Sequence, residues 1–206
     1  MKVLLINGSL RKNGCTFTAL SEVAGALKAN GVEPYIHHIG GAPIQDCVAC
    51  GLCRETGYCV YKDDSVNECV DLLMQADGLI VGSPVYYAGP TGSICSFLDR
   101  LFFHKGALYA YKPAAVVVSC RRAGSTAALD RLYKYFSLSG MPIVSSQYWG
   151  MVHGNTPDEV RQDSEGMQIM RTLGNNMAWL LKCIEAARET VPYPQKEERI
   201  GTNFIR

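Results

Sequence analysis

Short, wholly apolar runs along this chain alternate with longer stretches in which apolar residues return every three or four positions. Val3-Leu4-Leu5-Ile6, Gly78-Leu79-Ile80-Val81-Gly82 and Ala114-Ala115-Val116-Val117-Val118 are too short for helices and apolar on both faces, as strands inside a parallel sheet are. Further strands are expected at about Val32 to Ile39 and from Ile143 to Tyr148. Between them, Ala19, Leu20, Val23, Ala24 and Leu27 keep helical spacing from Phe17 to Ala29, and Asn30-Gly31 suits a left-handed stop. Asp63-Asp64-Ser65 opens a helix through Leu72, Leu73 and Met74; Ile94, Phe97, Leu98 and Leu101 mark another, and about Ala127 to Ser137 the next. The longest helical pattern covers about Pro157 to Ala187, with Gly166 and Gly174 as the points where it would break. The tail from Val191 to Arg206, rich in Pro and charge, reads as an arm, disordered or wrapped on a partner subunit. No internal repeat or low-complexity tract interrupts this order.

Five strands alternating with helices predict an α/β fold, an open parallel sheet covered on both faces with right-handed crossovers. In such sheets ligands gather beyond the carboxyl ends of the strands, near the point where strand order reverses. The segments after the first four strands are therefore expected on one rim.

The first of them is Gly8-Ser9-Leu10-Arg11-Lys12-Asn13-Gly14-Cys15-Thr16. A buried strand that ends in a small, hydroxyl-rich, basic loop and turns into a helix presents amides and hydroxyls to one point, which suits a phosphate. It matches neither the dinucleotide fingerprint nor a Walker loop. Ser9, Arg11, Asn13 and Thr16 are candidates for holding the doubly charged phosphate of a mononucleotide; the alternative is an ordinary turn capped by Asn13 or Thr16. Ser83 to Gly89, with Pro84, Val85, Tyr86 and Tyr87, offers amides beside two aromatic rings, as the edge of a flat polar heterocycle requires. Both tyrosines equally suit the core or a subunit interface. Ser119 to Ser125, including Gly124, leaves room for a ring against the backbone. Arg121 or Arg122 would meet a phosphate or an electron-rich ring atom, unless they are simply a solvated pair.

Composition narrows the class. With 206 residues and 48% hydrophobic content the chain can bury one full-sized core, so one domain over residues 1–190 with an appended arm at 191–206 is expected. A formal charge of +1 argues against a nucleic-acid surface. No apolar run approaches a membrane span and no signal sequence opens the chain, so a cytoplasmic protein is expected. Nine cysteines are many. Four fall between Cys47 and Cys59, an arrangement that fits a metal site in a reducing compartment better than a disulfide framework. Cys69, Cys95 and Cys183 lie in helical patterns and read as buried apolar residues. Of the histidines, His37 and His38 lie in a strand and His104 at a helix end; His153, after Trp149, is the one expected nearest a cofactor, with a structural or solvent-exposed role favoured over proton transfer.

Together the three loops resemble the NADPH-dependent flavin mononucleotide (FMN) reductase branch of the flavodoxin-like proteins, over about residues 1–150. The resemblance implies a flavodoxin-like doubly wound five-stranded parallel sheet of order 2-1-3-4-5 with helices on both faces. It also implies FMN with its phosphate on the first loop, where Cys15 stands at a position often polar in similar loops, and its ring between the loops of Pro84 to Tyr87 and Ser119 to Gly124. NAD(P)H as electron donor and assembly into homodimers or homotetramers follow from the same likeness.

The cysteine-rich insertion at about 40–62 contains Cys47-Val48-Ala49-Cys50-Gly51-Leu52-Cys53-Arg54-Glu55-Thr56-Gly57-Tyr58-Cys59, spaced C-x2-C-x2-C-x5-C. Two successive two-residue gaps let three thiolates face one centre, Gly51 relieving the turn and Gly57 bringing back the fourth, as a [4Fe–4S] cluster requires. Val60 follows where a ferredoxin run has proline, so this is not that motif. The spacing is similar to the compact motif of iron-sulfur flavoproteins, which implies Cys47, Cys50, Cys53 and Cys59 as ligands. An empty or redox-active thiol set and a zinc site remain the alternatives.

The expected function is an FMN-dependent redox flavoprotein that passes electrons between the flavin and a [4Fe–4S] cluster or an external partner, such as a ferredoxin or a small-molecule acceptor. The rivals are an NAD(P)H-dependent FMN or quinone reductase without a cluster, a flavodoxin-type electron carrier with no substrate of its own, and a zinc-stabilised binding module. No side-chain acid, base or nucleophile is required where the cofactor carries the chemistry.

Overall fold

The computed structural model describes residues 1–195, 197–198, 200–202 and 204; the expected arm includes Lys196, Arg199, Asn203, Ile205 and Arg206, which lie outside the described residues, as does the side chain of His104. Strands β1 (Lys2–Asn7), β2 (Glu33–His38), β3 (Gly78–Pro84), β4 (Ala114–Cys120) and β5 (Met151–His153) form one sheet. Its order is β2-β1-β3-β4-β5 and every pairing is parallel, as expected. The helices are α1 (Cys15–Ala29), α2 (Leu52–Thr56), α3 (Val66–Gln75), α4 (Gly92–Lys105), α5 (Ser125–Leu138), α6 (Pro157–Gln162) and α7 (Ser164–Ala187).

Alternation along the strands divides the core into two layers. Val3, Leu5, Ile80, Ala115 and Val117 pack on α1 and α7 through Leu20, Val23, Leu173 and Met177. Leu4, Ile6, Leu79, Val81, Val116 and Val118 face the other way, onto α3, α4 and α5 through Leu73, Phe97, Leu101 and Leu132. Helices therefore cover both faces, and all five carboxyl ends open on one rim. Strand order reverses between β2-β1 and β3-β4-β5, so the crevice of the rim lies between β1 and β3.

Two boundaries differ from the sequence pattern. The fifth strand is Met151–His153, not Ile143 to Tyr148. Ile143 makes only an isolated bridge to Ala114, the chain then leaves the sheet, and it returns where Gly150 passes so close to Val116 that a Cβ would lie 2.3 Å from its carbonyl oxygen. Val144 is the apolar residue of the expected run that reaches the core, whereas Tyr148 and Trp149 stay exposed. The long C-terminal helix breaks at Asp163, three residues before Gly166. The Asp163 carboxylate caps α7 by accepting from the Gly166 amide at 2.9 Å and also accepts from the His153 amide at 2.7 Å. A side chain at Gly166 would strike that carboxylate, which is why glycine sits beside the break. Helix α7 runs straight through Gly174. Cys69 is buried and Cys95 partly so, but Cys183 is exposed on the outer side of α7.

The region of β2 nearest the rim carries a titratable core residue. His37 is buried against Phe97, its Nε2 2.9 Å from the Ser65 hydroxyl. Burial holds its imidazole below the ordinary value, with Glu68 pulling it up and His38 pushing it down. The unfolded chain therefore takes up this proton first as pH falls, so stability is complete above the ordinary histidine range and declines below it. In denaturant unfolding from about pH 7 to about pH 5.5, His37→Gln is expected to flatten part of the acid-side loss shown by the wild type.

Gly174 provides a packing test. A Cβ there would lie 2.7 Å from that of Ala26 and 2.8 Å from the Val23 carbonyl oxygen, where α7 meets α1. Alanine would gain about 1 kcal/mol of helix propensity. The crowded atom is backbone and cannot step aside, so overpacking of about 1–3 kcal/mol is expected to dominate. Gly174→Ala should lower the midpoint of unfolding with an unchanged denaturant slope.

Candidate functional site

Asn7, the last residue of β1, organises the first loop from beneath. Fully buried, it accepts from the Ser9 amide at 3.2 Å and donates to the Lys12 carbonyl at 3.0 Å. The Gly8 amide donates to Gly82 O at 2.8 Å, a closeness that only glycine permits, since a Cβ would meet Ile94 at 2.7 Å. The Thr91 hydroxyl, N-cap of α4, donates to Gly8 O at 3.1 Å, and His38 Nε2 reaches Ser9 O at 2.8 Å. Since a carbonyl can only accept, that His38 nitrogen carries the hydrogen. Ser9 Oγ accepts from the Arg11 amide at 3.2 Å.

The groups facing outward are left unsatisfied. The N-cap of α1 is Gly14, with no side-chain cap, so neither Asn13 nor Thr16 closes the helix as the capped-turn alternative required. Thr16 Oγ1 instead pairs with Ser119 Oγ at 2.9 Å, both buried, tying α1 to the end of β4. Among the described residues the amides of Lys12, Asn13, Thr16 and Phe17 have no hydrogen-bond partner. Unfilled amides at the first turn of a fifteen-residue helix, with Arg11 and Lys12 exposed beside them, form an anion cradle. Cys15 is half-buried with Sγ 3.8 Å from Gly154 O, and burial raises its thiol above the ordinary value.

The other two loops touch each other. Tyr86 and Gly89 exchange both hydrogen bonds, at 2.8 and 3.0 Å, around a tight turn with Tyr87 at φ 50° and Ala88 at φ 59°. Positive φ at both central residues is the type I′ geometry, unusual without glycine or asparagine. Val85 N donates to Ser119 O at 2.9 Å. Gly124, at φ 87°, sits so close to Ala88 that a Cβ would come within 2.7 Å of its Cα. The space beside Gly124 thus belongs to the neighbouring turn. Pro84 and Val85 are half-buried, Tyr86 and Tyr87 exposed, and Arg121 and Arg122 both project to solvent. His153 belongs to β5, with Nδ1 3.6 Å from Asp163 rather than among the three loops.

Cys47, Cys50, Cys53 and Cys59 line one small pocket with Val48, Val60 and Phe103. Gly51 and Gly57 both adopt left-handed φ, 77° and 79°, and bracket α2, while Ala49 takes φ 51°. The segment is tied to the fold at both ends. Asn67 of α3 accepts from the Cys59 amide at 2.8 Å and donates to the Cys59 and Tyr61 carbonyls at 3.0 and 3.1 Å; Ser96 of α4 bonds Asp46. Ser65 is the N-cap of α3 without a side-chain cap hydrogen bond, and Asp64, one residue before it, accepts from the Val66 amide at 3.1 Å. Burial raises the Cys53 thiol, its own backbone contact lowers it, and Cys47, Cys50 and Cys59 raise it again. Among the described residues no three Cys, His, Asp or Glu side chains are grouped to hold a single metal ion.

The family model for NADPH-dependent FMN reductase matches residues 1–156. The chain belongs to that family. An iron-sulfur flavoprotein of Methanocaldococcus jannaschii is 28% identical over 193 residues, covering 90% of this chain and 100% of the relative. One from Methanosarcina thermophila is 26% identical over 194 residues, covering 92% and 100%. Among solved structures, RosB with a bound 8-demethyl-8-formylriboflavin-5′-phosphate intermediate aligns at a TM-score of 0.70 with 14% identity, over 100% of this chain and 94% of that one. A flavodoxin from the domain Archaea aligns at 0.59 with 16% identity, over 88% and 99%. At these identities the structures speak to the fold, which is flavodoxin-like.

As a member of the FMN reductase family the chain is an FMN-dependent redox flavoprotein, an oxidoreductase. The cradle at Lys12 to Phe17 fits that cofactor's phosphate by geometry and charge. Among the described residues no helix is long and apolar enough to cross a membrane. The roles of His38 and Thr91 are not legible in the sequence because the Ser9 and Gly8 carbonyls they satisfy come close only on folding, whereas Asn7 serves its own loop at Ser9 and Lys12. Asn7→Ala removes one buried and one partly buried hydrogen bond of about 1 kcal/mol each. FMN affinity is therefore expected to fall about tenfold or more, as measured by fluorescence titration of the flavin-free protein.

Proposed function

We propose that this chain passes electrons between FMN on the rim and a [4Fe–4S] cluster held by Cys47, Cys50, Cys53 and Cys59, and onward to an outside partner. The observation that carries this reading is the convergence of all four thiols on one pocket, clamped by α3 and α4. A single ion needs its ligands drawn close together. A cube presents four separate corners and asks that four thiols ring a shared space, which the C-x2-C-x2-C-x5-C spacing and the common pocket offer.

The lone amides of Lys12, Asn13, Thr16 and Phe17 would take the FMN phosphate, with Ser9, Arg11 and Asn13 at the same loop. Tyr86, Tyr87 and the exposed side of Ser119 to Gly124 flank the position proposed for the ring, where the Tyr87 and Ala88 amides have no partner among the described residues. When bound, FMN supplies exchange of one or two electrons, so it joins a hydride donor to a one-electron centre. The protein holds, orients and tunes.

NAD(P)H as donor, a ferredoxin or small-molecule acceptor, homodimeric or homotetrameric assembly and a cytoplasmic setting belong to the same proposal. The matching family's description favours a second reading, an iron-free NAD(P)H-dependent reductase. Iron, acid-labile sulfide and flavin analysis of anaerobically prepared protein separates the two, since flavin without iron leaves the reductase. Cys53→Ser is expected to abolish bound iron while FMN stays at one equivalent. Loss of both cofactors together would show that the two sites are not independent.

A further inference from the structure

Arg100 of α4 is a buried charge whose contacts lead to the cysteine segment and to Asp64 just beyond it. Its side chain is 1% exposed and lies in an ion pair with Asp64, itself 6% exposed. The pairing is two-pronged, the second contact running from Nη2 to Oδ1 at 3.1 Å. The guanidinium also donates to Gln45 O at 3.3 Å and Tyr61 O at 3.5 Å and lies 5.2 Å above the Tyr61 ring. One donor remains, and Nε–H points at Cys59 Sγ, 3.1 Å away. Among the described residues no other of the four cysteine sulfurs accepts a side-chain hydrogen bond. Two further cations near the pocket sit over rings, Arg54 over Phe103 at 5.7 Å and Lys105 over Tyr58 at 6.0 Å.

We propose that Arg100 is a positioning residue that sets the reduction potential of the cysteine site through this N–H···S bond. The proposal rests on the cluster reading. Reduction of such a site adds one electron, whose charge the sulfurs share, and neither breaks a bond nor moves a proton. A donor aimed at a sulfur strengthens as that charge grows, and therefore favours the reduced form. Asp64 works against it. Its carboxylate offsets the guanidinium charge, so the bond's local polarity reaches the sulfur while the net charge of the pair is close to zero. The same two groups thus act on the potential with opposite signs, something that a purely structural clamp would not do.

The test is a dithionite titration of the anaerobically assembled full chain, followed by electron paramagnetic resonance, with iron, sulfide and FMN quantified for every variant. Arg100→Lys keeps a positive charge for Asp64 but cannot reproduce the fork and the Nε donor together. It is expected to shift the reduction equilibrium about tenfold against the reduced form, a fall of about 59 mV for one electron. Asp64→Asn keeps an oxygen for the Val66 amide and leaves the guanidinium uncompensated, so a shift of at least similar size in the opposite direction is expected. Unchanged potentials in both variants, or a fall in Asp64→Asn, overturn the proposal while leaving the cluster reading intact. If Arg100→Lys assembles no cluster, the Asp64→Asn arm decides alone, a rise supporting the proposal and any other result overturning it. A wild-type chain without iron and sulfide overturns both.

Discussion

The loop from Gly8 to Gly14 stays open to an anion because every group behind it is already engaged. Asn7 holds two of its backbone groups, Thr91 the Gly8 carbonyl, His38 the Ser9 carbonyl and Gly82 the Gly8 amide. These partners come from β1, β2, β3 and α4, so the cradle exists only once the sheet has paired. A backbone satisfied from beneath can afford unsatisfied amides above, where a phosphate supplies what the protein withholds. The absence of a side-chain cap on α1 is therefore part of the cradle's chemistry.

A similar logic governs the cysteine segment, which buries little apolar surface of its own. Val48, Leu52, Tyr58 and Val60 are all exposed. Its conformation is imposed from outside by Asn67, Ser96 and Arg100. Arg100 joins the approach to Cys47 at Gln45 to the stretch beyond Cys59 at Tyr61 and Asp64, and so closes the loop on itself. Truncating one partner of so buried a pair typically costs about 3–5 kcal/mol, because the other charge is stranded. Such a device holds four sulfurs near one another while the intervening chain remains free to curve, with Gly51, Gly57 and Ala49 in left-handed conformations.

The two sites share α4. Its N-cap Thr91 holds the first loop, and Ser96 and Arg100, further along the helix, hold the cysteine segment. Its buried face, through Ile94, Phe97, Leu98 and Leu101, is locked to the sheet. A rigid element that positions both loops removes the need for either to find its place alone, and it fits the pairing of the FMN reductase fold with a cysteine insertion.

Local pattern was enough to determine the sheet class, four of the five strands, the rim on which the loops meet and the four-cysteine spacing. Strand and helix periodicity are carried by each segment's own residues, and parallel strands with helical crossovers leave few topologies. Tertiary structure alone decided the rest. The last strand is Met151–His153 because the steric fit of Gly150 against Val116, not the hydrophobicity of Ile143 to Tyr148, returns the chain to β4. Gly124 meets Ala88, Thr16 turns to Ser119 across 103 positions, Thr91 reaches Gly8 across 83 and Arg100 reaches Cys59 across 41. A hydrogen-bond partner brought near by folding leaves no periodicity in the chain, which is why those roles become visible only in three dimensions.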